Sequence, residues 1–288
     1  MGYPFATIAR RAARQHGRVS AQQLREEGVS KQQAAKWLED GRLHRVHVGV
    51  YAVGHTAPSH LADYMAAVLA CGDGAVLSHA AAGHVLKLLR GTPPPPEVTV
   101  PTTAGRRRPG MVVHRVRSLH ALDFSEQDGI PITIVPRILL DLSPRLQPPR
   151  LTRACHEAWV HHRVTPRHVE ACIARNPTKK GAGRLRRAMS ADVILSVLEK
   201  QFLSVLREHG LPLPRTNIVA HGDRVDCHWP ALGLTVELLS YTFHASRAAF
   251  EADVARRRRS GHLAFTYGDV FERPSQTIDE LRAAISER

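Results

Sequence analysis

Over residues 1 to about 55 the spacing of apolar positions changes from helical to alternating. Phe5, Ile8, Ala9 and Ala12 recur at helical spacing, and Gly17 marks the end of that helix. Ser20-Ala-Gln-Gln23 and Ser30-Lys-Gln-Gln33 each match the S-x-x-Q capping box, in which a hydroxyl and a Gln side chain satisfy backbone donors exposed at a helix start. Gly28 separates the two helices by a tight turn. Along the second, Lys31 to Glu39, the residues Ala34, Trp37 and Leu38 share a face, while Lys31, Gln32, Ala35 and Lys36 point away from it. Two short helices at this spacing predict a helix-turn-helix. Gly41 through Val53 then alternates apolar and basic residues around Gly49, the pattern of a two-stranded hairpin and a candidate wing.

The middle segment, about 56 to 188, is less regular. Leu61 to Leu69 predicts an amphipathic helix, Ala75 to Leu77 a short strand, His79 to Leu89 a helix, and Gly91 to Pro96 a stiff polyproline-like spacer. Val98 to Val100 and Met111 to Val116 read as strands joined by the basic loop Gly105 to Pro109. Leu151 to Ala188 reads as helical, interrupted at Thr165-Pro166 and Asn176-Pro177, each proline marking a new start. After about 189 comes a long helix, Ile194 to Glu208, then strands at Thr216 to Val219, Arg224 to His228 and Leu234 to Leu239. A helix Arg247 to Arg259, a strand Leu263 to Tyr267 and a terminal helix complete the order αβββαβα. The fold class expected is α+β or α/β multidomain. It comprises an N-terminal winged helix-turn-helix (1–55), a mixed α/β middle segment (56–188) and a C-terminal restriction-endonuclease-like αβββαβ core (189–288).

Charge narrows the function. Forty Lys and Arg against 26 Asp and Glu give +14, which points to a polyanionic partner, duplex DNA first, although an arginine-rich composition also follows from a GC-rich genome. Cys71, Cys155, Cys172 and Cys227 are too scattered for a zinc knuckle or a redox pair. With no membrane-length apolar stretch and no leader-like N-terminus, the expected setting is a reducing cytoplasm, with no membrane partner. In the N-terminal module Lys31 and Lys36 on the third helix, and Arg42, Arg45 and His47 on the hairpin, are candidate phosphate contacts; Gln32 is placed for a base edge. The stretch Arg175 to Arg187 holds six cations and no acid, and reads equally as a phosphate track or an exposed linker.

Two acids stand inside apolar strands, Asp226 between Val225 and Cys227, and Glu237 between Val236 and Leu238. A carboxylate in such a setting is costly to bury alone. On neighbouring strands the two are candidates to share Mg²⁺ or Mn²⁺, which would supply a nucleophilic water to a phosphodiester; Glu199 on the preceding helix would orient a ligand water. His244 is the candidate general base and Arg247 a candidate phosphate holder.

Residues 4 to 54, above all Gly41-Arg-Leu-His-Arg-Val-His-Val-Gly-Val-Tyr-Ala-Val-Gly54, resemble the N-terminal winged helix of the AbiEi family antitoxins of type IV toxin-antitoxin systems. Val76-Leu-Ser-His79, and Gly129-Ile-Pro-Ile-Thr133 through Leu139-Leu-Asp-Leu142, extend the similarity into the middle segment. The resemblance implies binding to the operon's own promoter and neutralisation of a nucleotidyltransferase-like toxin. The C-terminal part, about 190 to 288, is similar to the very-short-patch-repair-like endonucleases of the PD-(D/E)xK fold. The similarity rests on Glu199, Arg224-Val-Asp-Cys-His-Trp-Pro230, Thr235-Val-Glu-Leu-Leu-Ser-Tyr241, Phe243-His244 and Ser246-Arg247. Leu239 departs from that pattern, which has Lys or Asp two residues after the acid. Two functions follow: a Mg²⁺-dependent DNA endonuclease, or an antitoxin-like transcriptional repressor whose nuclease-like domain has lost its chemistry.

Overall fold

Helix α1, Pro4–Arg14, ends where His16 and Gly17 take positive φ angles of 52° and 76° and turn the chain into a short strand, β1, Arg18–Ser20. Ser20 closes that strand and caps the next helix, α2, Ala21–Glu26: its hydroxyl accepts from the Gln23 N–H, and the Gln23 side chain accepts from the Ser20 N–H. Gly28, at φ 77°, makes the turn into α3, Lys31–Glu39, where the Ser30 hydroxyl alone supplies the cap. The hairpin follows as β2, Leu43–His47, and β3, Val50–Val53, with a bulge between Arg45 and His47. The three strands form a sheet in the order β1-β3-β2. Ile8, Ala12, Val19, Leu24, Val29, Trp37 and Leu43 fill the space beneath, and Phe5 meets Trp37 edge-on with ring centroids 5.0 Å apart. Strand β1 is absent from the sequence reading because three residues are too few to show a period.

The computed structural model describes residues 4–102, 108–220, 223–239 and 263–286. Beyond the first module run α4 (His60–Cys71), β4 (Val76–Leu77), α5 (His79–Val85), β5 (Glu97–Val100), β6 (Val112–Arg115), β7 (Phe124–Gln127), β8 (Ile130–Thr133) and α6 (Val135–Leu142). The five strands form one mixed sheet, β6-β5-β4-β8-β7. Asp128-Gly129, with φ values of 50° and 76°, supplies the tight β7–β8 turn, and a Cβ at Gly129 would lie 2.3 Å from the Arg14 carbonyl oxygen, so this turn abuts the end of α1. The sequence reading anticipated β4, β5 and β6 but not β7, β8 or α6. Helix α5 stops at Val85 rather than Leu89.

The remaining helices are α7 (Pro148–His162), α8 (Pro166–Arg175), α9 (Ala182–Ala188) and α10 (Ala191–Glu208). Pro166 opens α8 as expected, but Pro177 opens nothing; α9 begins only at Ala182. Strands β9 (Arg215–Ala220), β10 (Asp223–Trp229), β11 (Leu234–Leu239) and β12 (Leu263–Thr266) form a third sheet, β12-β11-β10-β9, antiparallel except for β11 with β12. Helices α11 (Tyr267–Glu272) and α12 (Pro274–Ser286) follow. Leu198, Phe202, Val205 and Leu206 of α10 pack with Cys227, Trp229, Val236, Leu238 and Phe265 to form this core.

The chain divides into two compact units, 1–146 with 167–182, and 147–166 with 183–288. The segment 56–188 contributes residues to both units. Buried charges tie α8 to the first unit. Asp123 accepts from Arg175 (2.8 Å) and Asn176 (2.5 Å), Asp141 from Arg137 (3.1 Å) and Lys179 (2.6 Å), and all the partners lie within 1–146 and 167–182. Asp123 and Arg137 are wholly buried, where an unpartnered charge would cost several kcal/mol.

Candidate nucleic-acid surface and acidic strand site

Trp37 anchors α3 in the core, and the helical period then sets Lys31, Gln32 and Lys36 on its exposed side. Arg42 and Arg45 are also exposed; the Arg42 guanidinium lies over the Phe5 ring, 5.4 Å from its centroid, which draws it toward α1. His47 behaves differently from the sequence expectation. It is half-buried, and desolvation lowers its pKa, with Asp63 opposing and Arg108 reinforcing the change, which disfavours its charged form.

The bulge turns Val46 toward the cluster of Val50, Ala66 and Ala70, and leaves Val48 at the hairpin tip 85% exposed. A groove of about 690 Å³ runs beside the tip, lined by Arg45, Val48, Arg108 and Met111. Arg108 is a basic neighbour of the hairpin that local pattern does not reveal, because it arrives from the β5–β6 connection.

In the C-terminal sheet, β11 alternates strictly: Leu234, Val236 and Leu238 are buried while Thr235, Glu237 and Leu239 are half-exposed. Cys227 pairs with Val236, and His228 with Thr235; carrying that register on by one residue sets Asp226 beside Glu237. Both acids are half-exposed rather than deeply buried, so solvent shares the cost that their apolar neighbours in sequence suggested. One oxygen of Asp226, Oδ2, accepts the Leu238 N–H at 2.8 Å. The pairing of Ile218 with Val225 and Thr216 with Cys227 sets Asn217 on the other side of Asp226. Asn217 has a φ of 53°, and its amide donates to Glu199 Oε1 at 2.5 Å. Asn217, Asp226 and Glu237 thus stand side by side on β9, β10 and β11, and Glu199 of α10 joins them through Asn217. Cys227 reports their charge: burial, then Asp226 and Glu199, push its thiol up to about 12.

Among the described residues, no group of three ligand-bearing side chains that includes Asp226, Glu237 or Glu199 brings its donor atoms within 4.8 Å of one another. Glu199, expected to orient a ligand water, is hydrogen-bonded to the Asn217 amide. His244 and Arg247 lie outside the described residues. The stretch Arg175 to Arg187 is not one uniform track, because Arg175 and Lys179 neutralise the buried Asp123 and Asp141. No helix of the described residues is long and apolar enough to cross a membrane.

Residues 7–54 match the family model of the AbiEi antitoxin transcriptional regulators. The match spans α1 to the end of the hairpin and supports a DNA-binding regulator domain there. It reaches none of the C-terminal sheet, so it leaves nuclease chemistry without support. Uncharacterized protein MT2308 of Mycobacterium tuberculosis (strain CDC 1551 / Oshkosh) is 25% identical over 261 residues, 88% of this chain and 92% of its own length. Uncharacterized protein Rv2248 of Mycobacterium tuberculosis (strain ATCC 25618 / H37Rv) matches to the same extent. Among solved structures, that of the RV2827C protein from Mycobacterium tuberculosis superposes with a TM-score of 0.42 at 16% identity, covering 68% of this chain and 81% of that one.

Proposed function

We propose that this protein is a DNA-binding transcriptional regulator of antitoxin type, whose first 54 residues act as a winged helix. Helix α3 enters the major groove, Gln32 reads a base edge, Lys31 and Lys36 hold flanking phosphates, and β2–β3 is the wing that places Arg42 and Arg45 on the backbone. One observation carries the reading: the helix that follows the Gly28 turn is anchored by Trp37 and presents its cations and Gln32 to solvent, within the segment that matches the regulator family. Fluorescence anisotropy with duplex DNA from the protein's own promoter region tests it. Tight binding that weakens steeply as salt rises is expected, with specificity lost in Gln32→Ala. Affinity indifferent to salt and to all five contact residues would overturn it. The antitoxin part extends to a protein toxin partner, for which the family suggests a nucleotidyltransferase-like enzyme; co-expression that rescues growth from a neighbouring toxin gene tests that part.

A second reading, metal-dependent phosphodiester cleavage, is favoured by the register that sets Asp226 beside Glu237. As a pair they suit Mg²⁺ or Mn²⁺, which is held by one or two carboxylates and several waters, and such an ion would supply a polarised phosphate and an activated water. Asp226 would offer Oδ1, since Oδ2 holds the Leu238 N–H. Leu239 provides no group to position the water, so His244 is the remaining candidate for the base. Cleavage of supercoiled DNA with Mg²⁺ by the wild-type chain, abolished in Asp226→Ala and in Glu237→Ala, would establish this reading; intact DNA with binding preserved would remove it.

A further inference from the structure

The first unit holds a polar cluster that the DNA-binding reading does not use. Ser78 follows β4 and His79 opens α5 with a φ of 53°. Glu97 opens β5, where Thr99 follows on the same face, and His114 sits opposite Thr99 on β6. His79 and Glu97 are each about 5% exposed, whereas the His114 side chain is 25% exposed. One ligand atom from each of His79, Glu97 and His114 lies within 4.8 Å of the other two, the one such group among the described residues.

We propose that His79, Glu97 and His114 bind a divalent transition-metal ion of the zinc class. Two imidazoles and one carboxylate form a donor set that suits Zn²⁺ and leaves further positions for water. The supporting contacts are those that orient ligands. His79 Nδ1 lies 2.9 Å from the Ser78 hydroxyl, which in turn accepts from Thr99 at 2.8 Å; with that nitrogen occupied, Nε2 is the remaining ligand atom of the ring. Glu97 Oε1 accepts the Ala80 N–H at 3.3 Å.

His79 and Glu97 are in their ligand forms at neutral pH. Burial holds the His79 imidazole neutral, its pKa lowered to about 4. At Glu97 burial acts to raise the pKa, but the hydrogen bonds from His114 and Arg145 outweigh it and hold the carboxyl at about 2. The His114 Nε2 to Glu97 Oε2 hydrogen bond, 2.8 Å, spans the gap that an ion would bridge with bonds of about 2.0 to 2.2 Å. Loading therefore moves the ring proton of His114 from Nε2 to Nδ1, which frees Nε2 as a ligand atom.

Two adjustments accompany binding, and both fall on the more accessible side chains. The His79 and His114 rings stack 3.6 Å apart at 17°, and one ion cannot lie in two parallel ring planes, so the more exposed His114 ring turns out of the stack. Arg145, whose side chain is 51% exposed, holds Glu97 Oε2 at 2.6 Å and must yield it. Arg145 is thus a built-in competitor, and its removal strengthens the site.

The test is a Zn²⁺ titration of the full chain against a chromophoric chelator, repeated with Co²⁺ for its visible spectrum, on wild type and four variants. The chain has 18 His, so surface binding supplies a background and the differences between variants decide. Changes in supporting residues alone weaken metal sites by about 10- to 100-fold, so His79→Ala, Glu97→Gln and His114→Ala are each expected to lose about 100-fold or more at one equivalent. Arg145→Gln is expected to bind several-fold more tightly. His114→Ala, at a partly exposed position, is the variant that keeps its fold, and Zn²⁺ should raise the Tm of wild type but not of this variant. If wild type and His114→Ala bind alike and show the same Tm response, or if Arg145→Gln binds more weakly than wild type, the cluster is a structural hydrogen-bond network and the proposal fails.

Discussion

The N-terminal module and the C-terminal sheet carry their charges in opposite ways. In the first, cations stand on the solvent side of α3 and the hairpin, one helical or strand period away from a core built on Trp37 and Leu43. In the second, Asp226 and Glu237 sit in mid-strand, half-exposed, directly behind the core residues Cys227, Val236 and Leu238. Charges of the first kind are free to meet a partner and contribute little to folding. Those of the second kind are bound up with the backbone, as the bond from the Leu238 N–H to Asp226 shows. The contrast separates residues whose loss changes binding from residues whose loss first changes stability.

Trp37→Ala should produce the largest effect and join the two properties. Truncating a buried Trp costs about 3–5 kcal/mol, and because Trp37 anchors α3, DNA affinity should fall with stability in denaturant and anisotropy measurements. Affinity retained in a folded Trp37→Ala protein would separate α3 from DNA recognition. The triple variant Lys31→Ala/Lys36→Ala/Arg45→Ala should do the reverse, leaving Tm nearly unchanged while the slope of log affinity against log salt falls by about 3, roughly one for each phosphate contact. An unchanged slope would mean that DNA does not touch this face.

Asp226→Ala should cost about 1–3 kcal/mol in urea unfolding by leaving the Leu238 N–H without its carboxylate, with DNA affinity unaltered. A fall in affinity at constant stability would instead bring the acidic strand face into the DNA site. Smallest of all, Ser30→Ala should cost about 1 kcal/mol, and Ser20→Ala more, because only Ser20 is in a reciprocal box and pairs with β3 as well. Equal losses would show that the second half of the box adds nothing.

Much of the first module was legible. Gly28, the two Ser caps and the alternation around Gly49 are local signals, and each marks the element it predicted. The strands flanking Asp128-Gly129 escaped notice although the dipeptide is a strong turn signal, because Phe124–Gln127 is polar and its partner contains Pro131. For the C-terminal strands the alternation gave the right faces, but the row from Glu199 through Asn217 to Glu237 depends on pairing register. The proposed ligand cluster was missed altogether: His79 was seen as a helix start and part of a short motif, His114 as part of a strand, and Glu97 not at all.

The sequence by itself determined where helices start, which side of each strand or helix is apolar, and that the chain is strongly cationic, since all of these are properties of neighbours in sequence. Tertiary structure decided the rest. It half-buried His47 and lowered its pKa, gave Arg175 and Lys179 to the buried Asp123 and Asp141 instead of to a phosphate track, and drew His79 at the start of α5 together with Glu97 of β5 and His114 of β6. Charge state, pairing and ligand geometry are set by atoms a few ångströms away in space that lie tens of residues away along the chain, and no local period encodes them.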